Sequence, residues 1–299
     1  MTFLIAHLSD PHIGPLPPLK LRHLMNKRMT GALNWHGARA TIHNMAVFAE
    51  IIADILSQAP HHVALTGDLV NIGFEPEFPQ ALAMTRELGA PDRVSIVPGN
   101  HDAYVRGSLA AMEHCFAAFM LGDGQAGPVM FPYLRERDGI AFIGINSGVP
   151  TLPFMASGEI GQYQRQALAR VLDETAARGL YRVVMIHHPP VRIASRFGRS
   201  LRDADAFTEV LAQHGAELVL HGHNHRHSLH YVQGPTGAVP VLGVASASAV
   251  PGTPAHRAEY HLIRVDAAAR RTEIQRRGFS PESGGIHDIG LPIRFAAGS

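Results

Sequence analysis

Short apolar runs recur along the chain, and each ends abruptly in polar residues. They are FLIAHLSD from Phe3, HVALTGD from His62, VSIVPGNHD from Val94, AFIGINS from Ala141, RVVMIHHPP from Arg182 and ELVLHGHNH from Glu217. Each has the length of a strand and is rich in Val, Ile and Leu, the signature of strands buried on both faces. Helical periodicity lies between most of them. Ile42, Met45, Ala46, Ala49, Ile52, Ala53 and Leu56 form a stripe that Pro60 follows. Leu168, Val171 and Leu172 mark a second helix, and Phe207, Val210 and Leu211 a third that stops at Gly215. Strand alternating with helix predicts an α/β fold with much parallel pairing. From Val239 the pattern changes to VPVLGVAS, YHLIRVD and TEIQRRGF, strands without helices, which predicts an antiparallel finish over about 239–280. No repeat and no linker breaks the series, so one domain over residues 1–299 is expected.

Composition adds one anomaly. The chain has 26 basic and 25 acidic residues, so no extended nucleic-acid surface is expected. Its single cysteine, Cys115, excludes an internal disulfide. MTFLIAHLSD has no basic leader, and no apolar stretch approaches the roughly 20 residues that cross a bilayer. A soluble, cytoplasmic protein is therefore expected. The anomaly is 20 histidines, four of them at alternate positions in LHGHNHRH: His221, His223, His225 and His227. Were the strand to continue, all four rings would share one face, either turned to water or gathered on a metal.

The residues directly after the apolar runs favour the metal. They are Asp10 and His12; Asp68; Asn100, His101 and Asp102; His187 and His188; then His221, His223 and His225. Ligands in α/β sheets collect beyond the carboxyl ends of strands. A lone Asp there is commonly a helix cap and a lone His a packed one, but five strand ends delivering such groups is a joint pattern. Mixed oxygen and nitrogen donors without a thiolate suit Mn, Fe, Co or Zn. No P-loop and no Gly-x-Ser-x-Gly elbow is present.

In order, Asp10-x-His12, Gly67-Asp68, Gly99-Asn-His-Asp102, His187-His-Pro-Pro190 and Gly222-His-Asn-His225 resemble the motifs of the calcineurin-like metallophosphoesterases. TGDLVNIG, VPGNHD and HHPP are most similar to the bacterial cyclic-nucleotide phosphodiesterase (class III) branch. The resemblance implies a four-layer sandwich of two mixed β-sheets flanked by helices, with a two-metal site at the strand C-terminal ends. It also implies that Asp10, His12 and His225 hold one metal and that Asn100, His187 and His223 hold the other. Asp68 would bridge them, and the two ions would be divalent or trivalent. By the same resemblance a hydroxide shared by the metals attacks phosphorus, with His101 at the departing oxygen. Asp102 is expected to orient His101 or support its charge, the alternative being a helix cap. Asn146 and Ser147 stand where relatives often carry Asp-Ser, and an effect on loop geometry is expected there.

Between His12 and the first clear helix lies GPLPPLKLRHLMNKRMTGALNWHGAR, an insertion at about 14–40 that is long for such a connection. Leu and Met alternate there with Lys20, Arg22, Lys27, Arg28 and Arg39. One reading is an amphipathic cap over the metals, with Arg22 and Arg28 meeting a phosphate. Others are a membrane-surface attachment or a packed insertion with solvated cations. Arg192, Arg196 and Arg199, in VRIASRFGRSLR, are further candidates for the mouth of the site. The function expected is hydrolysis of a small or nucleotide-like phosphodiester. The alternative is a phosphoanhydride or lipid-linked phosphate accepted by the insertion. An inactive scaffold is disfavoured because all seven ligand positions are filled, and a DNA nuclease by the balanced charge.

Overall fold

The computed structural model describes residues 2–191, 198–250 and 253–296. In chain order the strands are β1 (Phe3–Leu8), β2 (His62–Leu65), β3 (Val94–Ile96), β4 (Tyr133–Arg137), β5 (Ile140–Gly144) and β6 (Tyr181–Met185). They continue with β7 (Leu218–His221), β8 (Ser228–Gln233), β9 (Ala238–Gly243), β10 (Glu259–Asp266), β11 (Arg271–Phe279) and β12 (Ile286–Ala296). Two short helices fall in the insertion, α1 (Arg28–Asn34) and α2 (Ala40–Ile42). The others are α3 (Met45–Ser57), α4 (Glu77–Arg86), α5 (Ser108–Met120), α6 (Gly161–Ala177) and α7 (Ala204–His214).

Two mixed six-stranded sheets result, in the orders β12-β11-β10-β1-β2-β3 and β4-β5-β6-β7-β9-β8. The first has β1, β2 and β3 parallel and β10, β11 and β12 antiparallel. In the second, β5, β6, β7 and β9 are parallel, with β4 and β8 antiparallel at the edges. Strand periodicity explains why the sheets stack. Ile140, Phe142, Val183, Met185, Leu218 and Leu220 pack with Ile5, Leu65 and Ile96 of the other sheet. Their alternate neighbours Ala141, Ile143, Val184 and Val219 pack instead with Leu168 and Leu172 of α6 and Phe207 and Leu211 of α7. The expected sandwich of two mixed sheets flanked by helices is present.

Several details differ from the pattern reading. Helix α3 is capped by Asn44, whose side chain accepts from the Ala46 and Val47 N–H groups. It buries Val47, Phe48, Ile51, Ile52 and Ile55, whereas Ala46, Ala49, Ala53 and Leu56 of the expected stripe are exposed. The larger side chains remove more apolar area from water, so volume and not the count of apolar letters sets the phase. The finish is not uniformly antiparallel either. Strand β9 runs parallel to β7 in the second sheet, and the antiparallel ladder extends past 280 to β12. Finally, β7 ends at His221, and positive φ at His223 (71°) and His225 (51°) forbids a continuing strand. The four rings of LHGHNHRH therefore do not share a face.

Buried Arg135 on β4 donates from Nε to the Leu121 carbonyl and from Nη1 and Nη2 to those of Pro91, Val94 and Ala118, each at 2.7 Å. It ties the second sheet to the end of α5 and the entry to β3. Replacing it by Met leaves those carbonyls without a donor, and we expect Arg135→Met to cost about 3 kcal/mol in urea unfolding. An unchanged midpoint would remove the role assigned to it.

Candidate dinuclear metal centre

The carboxyl ends of β1, β2 and β3 from one sheet and of β6 and β7 from the other meet at one edge of the sandwich. There the chain turns so sharply that it leaves ordinary backbone space. Among the described residues nine non-glycine residues have positive φ, and five are Asp10, His12, Asp68, His223 and His225. Such conformations cost of order 1–3 kcal/mol each and persist only where surrounding contacts enforce them. Glycine is required beside them: a Cβ on Gly222 would collide with Ser9 Oγ and Asp10 Oδ2.

Two groups of donors result. In the first, His225 Nε2 lies 3.2 Å from Asp10 Oδ1 and 3.2 Å from His12 Nε2. In the second, Asn100 Oδ1 lies 2.9 Å from His223 Nδ1 and 3.2 Å from His187 Nε2, and those two nitrogens are 3.3 Å apart. Asp68 stands between the groups, its Oδ2 being 3.4 Å from His187 Nε2 and 3.8 Å from His12 Nε2. Its Oδ1 accepts the His101 N–H at 2.7 Å.

The outward nitrogens define what the inward ones carry. His12 Nδ1 faces the Val70 carbonyl at 3.2 Å, His187 Nδ1 that of Thr66 at 2.7 Å, and His223 Nε2 that of Arg199 at 2.8 Å. A carbonyl can only accept, so each outward nitrogen bears a hydrogen, and in a neutral ring the inward nitrogen presents a lone pair. Burial, together with neighbouring cationic and imidazole groups, holds His12 and His223 well below the usual histidine range, so both rings are neutral. Burial opposes ionisation of Asp10, but the charges of His225 and then His187 more than offset it and keep this carboxylate well below its ordinary pKa. His187 differs: burial lowers it, yet the Asp68 charge and hydrogen bond raise it to about 9, so its inward Nε2 holds a proton that a bound cation would displace. Among the described residues no donor in good hydrogen-bond geometry reaches the buried Asp10 Oδ1, whose nearest polar neighbour is His225 Nε2. Lone pairs directed at lone pairs, beside two carboxylates, fit cations and fit little else. Asp10, His12 and His225 would hold one, Asn100, His187 and His223 the other, with Asp68 shared.

The remaining candidates separate clearly. His188 has both nitrogens engaged, by Ser147 Oγ at 2.8 Å and the Ala156 carbonyl at 3.2 Å, which distinguishes it from His187. Asn146 shapes its loop, accepting the Gly148 N–H at 2.8 Å. His101 presents Nδ1 to the Asn71 carbonyl and lies with Nε2 2.9 Å from Arg39 Nη1. Burial, then the Arg39 charge, pushes its pKa down to about 3. Asp102 does not orient this ring. Its carboxylate accepts backbone N–H groups of Asp68, Leu69, Val70 and Gly99 at 2.8–3.2 Å, binding the loops after β2 and β3 together. The reason is geometric: these four donors converge behind the site and occupy both carboxylate oxygens.

The cations also rearrange. Arg28 donates to the Ile72 and Gly73 carbonyls and fastens the insertion to the body. Arg22 is exposed, its Nε 3.2 Å from His23 Nε2, and lies outside the cavity lining. Arg192 and Arg196 fall outside the described residues. A cavity of about 520 Å³ over the donors is lined instead by Lys27, Arg39 and Arg199, together with His101, Tyr104, Phe154 and Met155. Lys27 is pushed down to about 8 by burial and sits 4.3 Å over the Tyr104 ring. The pattern reading also passed over His43, whose ring centroid is 4.6 Å from that of His12 and whose Nδ1 is 2.7 Å from Ser248 Oγ. No strand end marks His43, which precedes a helix.

A sandwich of two sheets with paired donor groups at its edge defines a two-metal phosphoesterase architecture. A family model for calcineurin-like phosphoesterases matches residues 3–227, and the chain belongs to that family. Among solved structures, the fold is similar to a dimetal phosphatase from Danio rerio, with 12% identity, 99% of each chain covered and a TM-score of 0.61. It is also similar to the purple acid phosphatase PPD1 from yellow lupin (Lupinus luteus) seeds, with 12% identity and a TM-score of 0.59. That alignment covers 99% of this chain but 54% of the lupin chain, so this chain spans about half the length of the lupin protein. No curated protein matches the sequence. No helix among the described residues is long and apolar enough to cross a membrane.

Two substitutions test the site. Asp68→Ala should lower bound metal from about two ions per chain to less than one by elemental analysis, and full loading would contradict the shared role. Asp102→Ala should destabilise the fold by about 3 kcal/mol, because several buried N–H groups lose their acceptor. A variant that melts normally yet has a displaced pH–rate profile would restore the idea that Asp102 serves His101.

Proposed function

We propose that the protein is a two-metal phosphodiesterase acting on a small phosphodiester. The observation that supports this most is the position of Asp68 between two groups of inward-facing oxygen and nitrogen atoms. Cations bound there would supply Lewis-acid stabilisation of phosphoryl charge and an acidified water. The chain's own residues do the rest. The Asn71 carbonyl holds the hydrogen of His101 on Nδ1. Once the Arg39 guanidinium turns to a phosphoryl oxygen and the substrate anion adjoins the ring, Nε2 takes a proton from solvent and passes it to the departing oxygen. Lys27, Arg39 and Arg199 attract the anion and orient it in the cavity. Tyr104 on one side and Phe154 with Met155 on the other give walls for the ester's substituents.

A second reading is hydrolysis of a phosphoanhydride or lipid-linked phosphate. Three cations lining one cavity favour it, since a single diester anion over two metals does not need them all.

The test is metal-stripped protein reloaded with Mn, Fe, Zn or Co and assayed on a phosphomonoester, a diester, a cyclic nucleotide and a lipid pyrophosphate. Metal-dependent turnover of the diester is expected, and hydrolysis confined to the monoester would defeat the proposal. His101→Ala should retain metal and lose about 100-fold or more in kcat. Arg39→Met should raise KM by about tenfold, one charge-assisted contact being worth roughly 1.4 kcal/mol; an unaltered KM removes Arg39 from substrate binding.

A further inference from the structure

Arg28, Trp35 and Lys27 anchor the insertion and leave its apolar side chains facing outward. Trp35 is buried against Gly14, and Lys27 Nζ donates to Thr151 Oγ1 at 2.6 Å and to the Met155 carbonyl at 2.9 Å. The Lys27 bonds bring the insertion against the 151–155 loop, which forms the other bank of the metal cavity. Large exposed apolar side chains gather on these two segments. Leu21, Met25, Met29, Leu33, Leu152 and Phe154 are 51–88% exposed. Phe154 is 88% exposed and has φ of 65°. An exposed aromatic ring held in a left-handed conformation is neither core packing nor a favoured turn, so strain is concentrated at the mouth of the cavity.

Behind this rim runs a second cavity of about 350 Å³, walled by Leu16, Leu19, Leu24, Met29 and Leu33 among others. Among the described residues its lining includes no carboxylate, lysine or arginine, and His36 is its titratable group. Leu33 lines both this groove and the metal cavity, so the two share a wall. Lys20 and Arg22, between the lining residues Leu19 and Leu24 in sequence, are exposed. A metal cavity lined by cations thus adjoins an apolar groove across Leu33. That juxtaposition matches an amphiphile whose phosphate precedes its hydrocarbon chain.

We propose that this groove receives the hydrocarbon chain of an amphiphilic phosphoester whose phosphoryl group occupies the adjoining metal cavity. The inference rests on the hydrolase reading above and specifies its substrate class. Leu33 marks where the chain leaves the phosphate, and Phe154 closes over the junction. Each buried methylene contributes about 0.8 kcal/mol, or roughly fourfold in affinity, until the groove is filled.

The test compares p-nitrophenyl methyl phosphate with p-nitrophenyl octyl phosphate, both below any micelle-forming concentration, using the metal-loaded full chain. The octyl ester should have kcat/KM at least about 30-fold higher, mainly through KM, and Met29→Asp should collapse that ratio toward one. A second readout is independent of turnover. In protein carrying ¹³C-methyl methionine, the Met29 resonance, assigned with Met29→Leu, should shift on adding octyl phosphate and not on adding methyl phosphate. Equal kcat/KM for the two esters with an unmoved Met29 signal would overturn the groove assignment. Failure of both esters to turn over would count against the hydrolase reading, and the Met29 titration would still decide the groove.

Discussion

Electron-rich atoms face one another at the centre of this molecule. Imidazole nitrogens of His12 and His225 lie 3.2 Å apart, those of His187 and His223 lie 3.3 Å apart, and Asn100 Oδ1 and Asp10 Oδ1 join them. With the hydrogens of His12 and His223 committed to outward carbonyls, the inward protons that His187 and His225 can carry are fewer than the acceptors gathered there. Only positive charge between them makes the arrangement favourable, and the fold holds it against that repulsion. Backbone strain at Asp10, His12, Asp68, His223 and His225, the glycine required at position 222, and the Asp102 tie between two loops all serve this one constraint. Burial raises the stakes, because each unpaired polar group in the interior costs far more than it would in water.

The division of labour between the two sheets follows. The first sheet contributes Asp10, His12, Asp68 and Asn100 from parallel strand ends, and the second contributes His187, His223 and His225. Neither donor group is complete within one sheet: the first needs His225 and the second needs Asn100. The interior between the sheets, from Ile5 and Leu65 to Phe142 and Leu220, therefore sets the spacing of the donors. Packing at near-crystalline density resists small displacements, which is what a site with sub-ångström tolerances requires.

Much of this was legible in the sequence, for identifiable reasons. Ligands follow strands, and β1, β2, β3, β6 and β7 are strongly apolar runs that stop abruptly, so the candidate donors could be read from their positions, while the resemblance singled out seven of them. The partners that lock the rings could not. Thr66 lies 121 residues from His187 and Val70 lies 58 from His12, and both act through backbone atoms that carry no side-chain signature. Asp102 misled for the same cause, since its acceptors' partners are main-chain N–H groups. Among the cations of the insertion, the sequence reading favoured Arg22 and Arg28, whereas Lys27 and Arg39 line the cavity. Which of them reaches the cavity depends on the direction of short helical turns, and periodicity over so few residues does not define it. The phase of α3 was lost because alanine and isoleucine count alike in an apolar pattern while burying very different areas.

The central claim is that two cations share Asp68. Anomalous diffraction from crystals of metal-loaded protein, recorded on both sides of the metal absorption edge, addresses it directly. The account predicts two peaks about 3.5–4 Å apart, with the Asp68 carboxylate between them. A single peak, or a pair whose ligands exclude Asp68, would contradict it.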